Sequence, residues 1–223
     1  MAASLRGSLI SASPSDPLQR PHLWLVSMQG LAPVFNPARE RGWSEHLPAA
    51  LQQRYLISRS LLRQRLAALL QLPAEAVPLH SPPGEAPVLN GQHGHVSLSH
   101  SRQQLLLAWS PWPIGVDLEW QGRALQPQSL ARRFFPHCEW QQLQALEPTA
   151  LGAAVLESWV RKEAAIKWQQ SSLARELRHW FWDRERQRLV HLQQGWQPDG
   201  WCHSLDGWLC AVVGEAASHG IWG

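Results

Sequence analysis

The stretch Trp159-Val160-Arg161-Lys162-Glu163-Ala164-Ala165-Ile166-Lys167-Trp168 lies in a helix that we predict over residues 150–170. It contains both lysines of a chain whose 20 basic residues are otherwise all arginines. Lysine is a compact charge whose pKa can shift, whereas arginine is a fixed planar fork. The two lysines also flank a carboxylate, Glu163. We therefore look for chemistry here first, with chance clustering of a rare residue as the alternative.

Composition narrows the class of protein. The chain has 223 residues and 44% hydrophobic content, enough for a core in one domain or two small ones. Its net charge of +3 is weak ground for nucleic-acid binding. The three cysteines have no metal-like or disulfide-framework spacing. With no signal peptide or membrane-spanning run, we expect a cytoplasmic protein with reduced thiols.

Periodicity and turn residues predict an α+β fold in two halves. Residues 1–21 are rich in Ser, Ala and Pro, which indicates a mobile leader. We place an N-terminal subdomain at 22–113 and a C-terminal subdomain at 114–223, with a hinge near 111–115. The predicted strands are 22–26, 96–99, 105–109, 115–120 and several short ones after 180. The predicted helices are 48–72, 125–146, broken near its prolines, and 150–170.

Two carboxylates share one face of a predicted strand. Asp117 and Glu119 alternate with Val116 and Leu118, so both acidic side chains point the same way. Two like charges this close repel unless a cation joins them. Oxygen ligands of this kind suit Mg²⁺, which is commonly shared with substrate phosphates. The alternative is a polar strand end that faces solvent.

A third carboxylate lies on the predicted helix. Trp159, Glu163 and Lys167 follow one another at i, i+4 spacing and so lie on one helix face. Such a Glu–Lys pair is commonly only a surface ion pair. Here the neighbouring apolar residues predict that the helix is largely covered, so its charges need partners. His100 ends another predicted strand, where it would either donate to a phosphate or cap neighbouring backbone.

Three motifs occur in order: Ser97-Leu-Ser-His-Ser101, Gly115-Val-Asp-Leu-Glu119 and Trp159-Val-Arg-Lys-Glu-Ala-Ala-Ile-Lys167. Together they resemble the 4'-phosphopantetheinyl transferases, and the chain looks like the long, surfactin-synthetase-activator type. An Arg-Phe-Phe segment at 133–135 and an arginine-bearing helix at 54–63 fit the same pattern. Three ordered motifs are far more specific than any one alone.

The resemblance implies a fold and a reaction. Each half would be a small antiparallel sheet packed with helices, the halves would be related by a pseudo-twofold, and the active site would lie in the cleft between them. The reaction transfers 4'-phosphopantetheine from coenzyme A to a serine of an apo acyl or peptidyl carrier protein and releases 3',5'-ADP. The enzyme would be a monomer, would depend on Mg²⁺ or alternatively Mn²⁺, and would bind neither membrane nor nucleic acid. Carriers of fatty acid, polyketide or nonribosomal peptide synthesis are all open as substrates.

The resemblance also implies roles for individual residues. The metal would be held by Asp117, Glu119 and Glu163. Glu163 would bind it directly, or act as general base on the carrier serine, and Lys167 would steady the diphosphate or protonate the leaving group. Coenzyme A would be bound by Arg54, Arg59, Ser99, His100, Lys162 and Lys167. Lys162 points about 100° away from Glu163 on a helix, so it would face the carrier or the coenzyme A tail.

Two departures from the family pattern accompany these implications. The loop before Ser-His reads Gly84-Glu-Ala-Pro87, without the family's lysine. After Lys167 the chain lacks both glycines of the family's Lys-x-x-Gly-x-Gly-Leu, so we expect that loop to take another conformation. Two other classes stay open: another Mg²⁺-dependent phosphotransferase or phosphodiesterase, and a non-catalytic carrier-binding homologue.

Overall fold

The computed structural model describes residues 17–223. Most of the leader predicted for 1–21 lies outside these described residues. Of its remaining part, Pro17–Gln19 forms a short 3-10 helix directly before the first strand. Within the described residues, no helix is both long and apolar enough to cross a membrane.

The first half of the chain is built around one long helix and a four-stranded sheet. Its elements are β1 (His22–Ser27), α1 (Ala38–Ser44), α2 (Ala49–Leu70), β2 (Leu79–His80), β3 (Val88–Leu89), β4 (His95–Ser101) and β5 (Gln104–Ser110). The sheet has the order β11-β1-β5-β4, in which β11 (Ile221–Trp222) comes from the end of the chain and runs parallel to β1. Strands β2 and β3 pair separately. The predicted helix over 48–72 is confirmed as α2.

The second half also has a sheet and one long helix, and it contains more helices than the first half. Its elements are β6 (Ile114–Trp120), α3 (Pro127–Phe134), α4 (His137–Gln144), α5 (Pro148–Trp168), α6 (Leu173–Glu176), β7 (Trp180–Asp183), β8 (Arg188–His191), β9 (Gly200–Leu205) and β10 (Trp208–Gly214). Pro127 begins α3 rather than interrupting it, because a proline fits the first turn of a helix. Pro136 separates α3 from α4.

The two halves share one strand order. In the first sheet the order is β1-β5-β4, and in the second it is β6-β10-β9, so each half places its first strand beside its last. Each half also has one long helix and a separate two-stranded hairpin, β2-β3 or β7-β8. Apart from β1 with β11, all these strand pairs are antiparallel. The predicted α+β class with small antiparallel sheets is confirmed.

One apolar core joins the two sheets. Leu106 of β5 and Val116 of β6 are both completely buried in the same cluster, with Leu23 of β1 and Val212 of β10. Two further cores lie under the long helices, one below α2 and one below α5. Because the central cluster draws on both sheets, the halves are packed against each other along β4 and β6.

The cysteines agree with the expectation of reduced thiols. Cys138, Cys202 and Cys210 are all free. Burial raises the pKa of the Cys202 and Cys210 thiols to about 12, so neither is a thiolate at neutral pH.

Candidate active site

Serine side chains of β4 form the contact between the two sheets. The Ser97 hydroxyl oxygen accepts the backbone N–H of Val116 at 3.1 Å. Two residues further, the Ser99 hydroxyl donates to Oδ1 of Asp117 at 2.6 Å. Alternate residues of a strand share a face, so β4 presents a row of hydroxyls to β6. Ser99, which was expected to contact phosphates, donates to Asp117 in this structure.

The same row continues to the second carboxylate. The Ser101 hydroxyl donates to Oε2 of Glu119 at 3.0 Å, and the guanidinium of Arg123 forms a close ion pair with Oε1. Sequence reasoning missed Ser101 and Arg123. The sequence did contain a pattern that indicates Ser101, because Ser97, Ser99 and Ser101 alternate in the same way as Asp117 and Glu119.

Asp117 is the most deeply buried of the acidic residues at this site, with 2% of its surface exposed. Its Oδ1 atom accepts from Ser99 and from the Lys167 ammonium, which lies 2.7 Å away. Its Oδ2 atom is buried and has no hydrogen-bond partner among the described residues. A buried carboxylate oxygen without a partner is costly, so this atom would gain from one further cation or hydrogen-bond donor.

Helix α5 brings Glu163 to the same place. Its Oε2 atom lies 3.9 Å from the Lys167 ammonium, one helical turn further along. Burial and then the charge of Asp117 raise the pKa of Glu163 to about 8, against the opposing effect of Lys167. The site therefore holds more negative groups than its own cations can balance. In the absence of another cation, Glu163 holds a proton at neutral pH.

A buried cation lies across the groove. Arg59 of α2 is only 8% exposed, and it stacks on the Tyr55 ring at 4.7 Å. Its guanidinium donates to the Ser58 hydroxyl at 3.0 Å and to the Ser81 carbonyl at 3.4 Å. Within residues 17–223 no carboxylate forms an ion pair with it. A buried guanidinium without a counter-ion favours an anionic ligand.

The charges of this positive region affect the pKa of His100. Desolvation and then the charges of Arg54, Lys167 and Arg59 lower its pKa to about 4. His100 is exposed, and each of the three nearby cations disfavours a further positive charge on its ring. His100 is therefore neutral at pH 7. The three cations that lower its pKa, Arg54, Lys167 and Arg59, were all expected at the ligand site.

An open groove is lined by two of these groups, Arg59 and Lys167. They border a cavity of about 310 Å³, together with Val96 and the loop 85–87. A neighbouring cavity of about 520 Å³ shares Pro87, Val96 and Gln170 with it. The groove thus combines two cations with walls that are uncharged apart from Glu85, which suits a ligand that has both phosphate and neutral parts.

Lys162 is not brought to the groove, and the expectation that it contacts coenzyme A or the carrier is wrong for this structure. Its side chain is completely buried, with the ammonium 2.5 Å from Oε2 of Glu139 and 3.7 Å from the Phe135 ring centre. Burial lowers the pKa of Lys162 to about 8, against the opposing effect of Glu139. The physical reason is helix phase: Lys162 leaves α5 toward α4, on the side away from Glu163.

A second cluster of ligand-type side chains lies at Glu176, His179 and His191. Oε2 of Glu176 lies 3.0 Å from Nε2 of His191 and 3.3 Å from Nδ1 of His179. Nδ1 of His191 accepts the backbone N–H of Gln194 at 3.2 Å. That bond puts the proton of a neutral ring on Nε2 and points it at Glu176. A metal would need Nε2 free and Nδ1 protonated, so the cluster is built as a hydrogen-bonded carboxylate–imidazole group.

Fold and site together define a two-sheet α+β protein whose carboxylate–lysine centre lies at the contact between its halves. Residues 113–213, just under half of the chain, match the family described as the 4'-phosphopantetheinyl transferase superfamily. The matched segment holds Asp117, Glu119, Glu163 and Lys167, and it supports phosphopantetheine transfer as the general kind of reaction. No curated protein matches the chain.

Proposed function

We propose that this protein is a long-type 4'-phosphopantetheinyl transferase. It would transfer 4'-phosphopantetheine from coenzyme A to a serine of an apo acyl or peptidyl carrier protein and release 3',5'-ADP. One observation carries the proposal: Asp117 and Glu163 both lie near the Lys167 ammonium, beside a groove that also holds Arg59, a cation with no carboxylate partner within residues 17–223. The shared strand order of the two sheets supports the pseudo-twofold relation of the long type. Because both sides of the groove come from one chain, the proposal includes a monomer.

The acidic residues fit a divalent cation. Asp117 offers a buried oxygen without a partner, and the neighbouring charge of Asp117 helps to raise the pKa of Glu163. Oxygen donors of this kind suit Mg²⁺, with Mn²⁺ as the alternative. Asp117, Glu119 and Glu163 would hold the ion. When bound, it would neutralise charge on the diphosphate and on the leaving phosphate.

The chain's own residues account for ligand binding. Lys167 donates to Asp117 in the free protein, and its exposed share of 32% leaves it accessible to a diphosphate in the groove. Arg59 would bind a terminal phosphate through its guanidinium fork. Arg54 and His100 border the same region, and His100 would bind as a neutral donor. Ser99 would act through Asp117, whose Oδ1 it holds.

The proposed transfer is a single displacement at phosphorus. The carrier serine oxygen forms a bond to the phosphorus of the phosphopantetheine group, and the bond from that phosphorus to the bridging oxygen of 3',5'-ADP breaks. The serine proton goes to a base, and the electron pair of the broken bond leaves with 3',5'-ADP. Glu163 would be this base, directly or through water, or a direct ligand of the cation; both roles place its carboxylate at the reacting groups.

The direct test is incubation with coenzyme A, Mg²⁺ and an apo acyl carrier protein, followed by mass spectrometry of the carrier. We expect a mass gain of one phosphopantetheine group with the wild-type protein and none with Asp117→Asn. Gain by both proteins would contradict an essential role of Asp117 in the transfer. Coenzyme A binding with no transfer to any of several fatty acid, polyketide and peptide carriers would contradict the proposal.

A further inference from the structure

The two long helices end in the same way, each with a glutamine in the left-handed conformation. Gln71 follows α2 with φ of 54°, and Gln170 follows α5 with φ of 55°. In both cases the next backbone N–H bonds back to the last turn: Leu72 to the Ala67 carbonyl and Ser171 to the Ile166 carbonyl, each at 3.0 Å. These are matched C-terminal caps of the kind in which glycine is usual.

A side chain in this conformation has a cost. Left-handed backbone crowds Cβ against the carbonyl oxygen, and glycine avoids that contact. The capping hydrogen bonds of the backbone offset part of this cost, but the side-chain amide of Gln170 contributes nothing, because it makes no hydrogen bond with any residue that the structure describes. Gln170 stands where the family pattern has its first glycine, and it adopts the left-handed conformation that glycine favours.

Gln170 differs from Gln71 in its position relative to the groove. Gln170 lines both cavities of the groove, on the side of Lys167 and facing the uncharged walls at Pro87 and Val96. Its side chain is exposed and offers one carbonyl acceptor and two N–H donors. Gln71 is also exposed, but it lines neither cavity.

We propose that Gln170 is a specificity-determining residue whose side-chain amide hydrogen-bonds an uncharged polar part of the ligand next to its phosphates. The inference rests on the proposed function, since coenzyme A combines phosphates with two such parts, the adenine base and the amide-bearing pantetheine arm. Both offer donors and acceptors that complement a carboxamide. The observation that supports this role is a left-handed glutamine that lines the groove and whose amide bonds to none of the described residues.

The experiment compares Gln170→Gly with the matched control Gln71→Gly. Relief of left-handed strain should raise the Tm of both variants by roughly 1–3 °C. Only Gln170→Gly should weaken coenzyme A, with Kd and KM rising about 3- to 10-fold for one lost hydrogen bond, while kcat stays near wild type. Gln170→Ala keeps Cβ and removes the amide, so it should lose the same affinity without the rise in Tm.

Titration with 3',5'-ADP and with 4'-phosphopantetheine then assigns the contact. Weaker binding of 3',5'-ADP alone points to the adenine base, and weaker binding of 4'-phosphopantetheine alone points to the arm; either result supports the inference. Unchanged Kd for coenzyme A and both fragments in Gln170→Gly and Gln170→Ala would overturn it. If the wild-type protein itself fails to bind coenzyme A, the proposed function fails first, so the two failures are distinguishable.

Discussion

A Cβ atom on Gly115 would lie 2.0 Å from the carbonyl oxygen of Ala164 and 2.3 Å from the backbone nitrogen of Trp168. Helix α5 therefore rests directly on the backbone of β6, with no room for any side chain between them. The strand carries Asp117 and Glu119, and the helix carries Glu163 and Lys167. The absence of one Cβ atom thus brings the third carboxylate within reach of the first two.

Gly115→Ala should separate the helix from the strand. We expect a loss of about 1–3 kcal/mol of stability, as for other overpacked sites, together with weaker binding of divalent cations. Chemical denaturation and cation titration measure the two effects. Gly152→Ala is the matched control, because it lies in the same helix with open space around it and alanine there should raise stability by about 0.5–1 kcal/mol. Equal stability of both variants would contradict the close contact.

Glu163→Gln should keep the fold and lose the reaction. Glutamine resembles the protonated carboxyl that the raised pKa of Glu163 favours in the free protein. We expect coenzyme A affinity near wild type and turnover at least about 100-fold lower, the usual scale for a general base. Glu157→Gln on the same helix, where Glu157 pairs with Arg161 and Arg184, should keep its turnover. Survival of turnover in Glu163→Gln, with coenzyme A and Mg²⁺ saturating, would exclude the general-base role.

Ser101→Ala should loosen Glu119. Its hydroxyl holds Oε2 while Arg123 holds Oε1, so its loss leaves the carboxylate free to turn. We expect the Kd for Mg²⁺ or Mn²⁺ to rise about 10-fold, the lower end for lost outer-shell partners of a metal ligand. Calorimetry gives this value without any turnover assay. Ser204→Ala, which removes an exposed hydroxyl bonded to Gln121, should have no effect, and an unchanged Kd in Ser101→Ala would remove Ser101 from the site.

His100 should titrate abnormally. Its pKa of about 4 lies below the ordinary value because of desolvation and the charges of Arg54, Lys167 and Arg59. A bisphosphate bound beside these cations would offset their repulsion of the imidazolium, so the pKa should rise when 3',5'-ADP is added. NMR of the His100 ring protons against pH, with and without 3',5'-ADP, measures both values. A pKa that starts near the ordinary value, or that falls on ligand binding, would contradict this electrostatic picture.

Lys162→Met should destabilise the fold, but Lys162 itself should have no role in the reaction. It leaves the Glu139 carboxylate buried without its cation, which typically costs about 3–5 kcal/mol. The double variant Lys162→Met with Glu139→Leu removes both charges and should recover most of that loss. Because Lys162 lies outside the groove, the double variant should keep its turnover and coenzyme A affinity. A specific rise in KM for coenzyme A would restore Lys162 to the ligand site.

The sequence predicted which side chains share a face wherever their spacing matched the period of a strand or a helix. Alternation on a strand placed Asp117 and Glu119 on one face, and i, i+4 spacing placed Glu163 with Lys167; the structure brings all four together. Helix phase also separated Lys162 from Glu163. It did not reveal where Lys162 points, because its partner Glu139 lies on another helix and only tertiary packing brings α4 to that side.

The hydroxyl row of β4 escaped sequence reasoning for a related reason. No local pattern states which strand of one sheet lies beside which strand of the other, so the partners of Ser99 and Ser101 were unknown. The left-handed conformation of Gln170 was not predicted for a different reason. A missing glycine suggested a different loop, but it did not indicate that a glutamine would take the left-handed conformation at the end of the helix.

The pairing of Ile221–Trp222 with β1 has a consequence for synthesis. The register His22 with Ile221 joins residues nearly 200 positions apart, so the first sheet stays incomplete until residues 221–222 have been synthesised. Loop closure over such a distance is slow compared with the formation of local contacts. Until it occurs, the edge of β1 is open to pairing with another strand in a newly made chain.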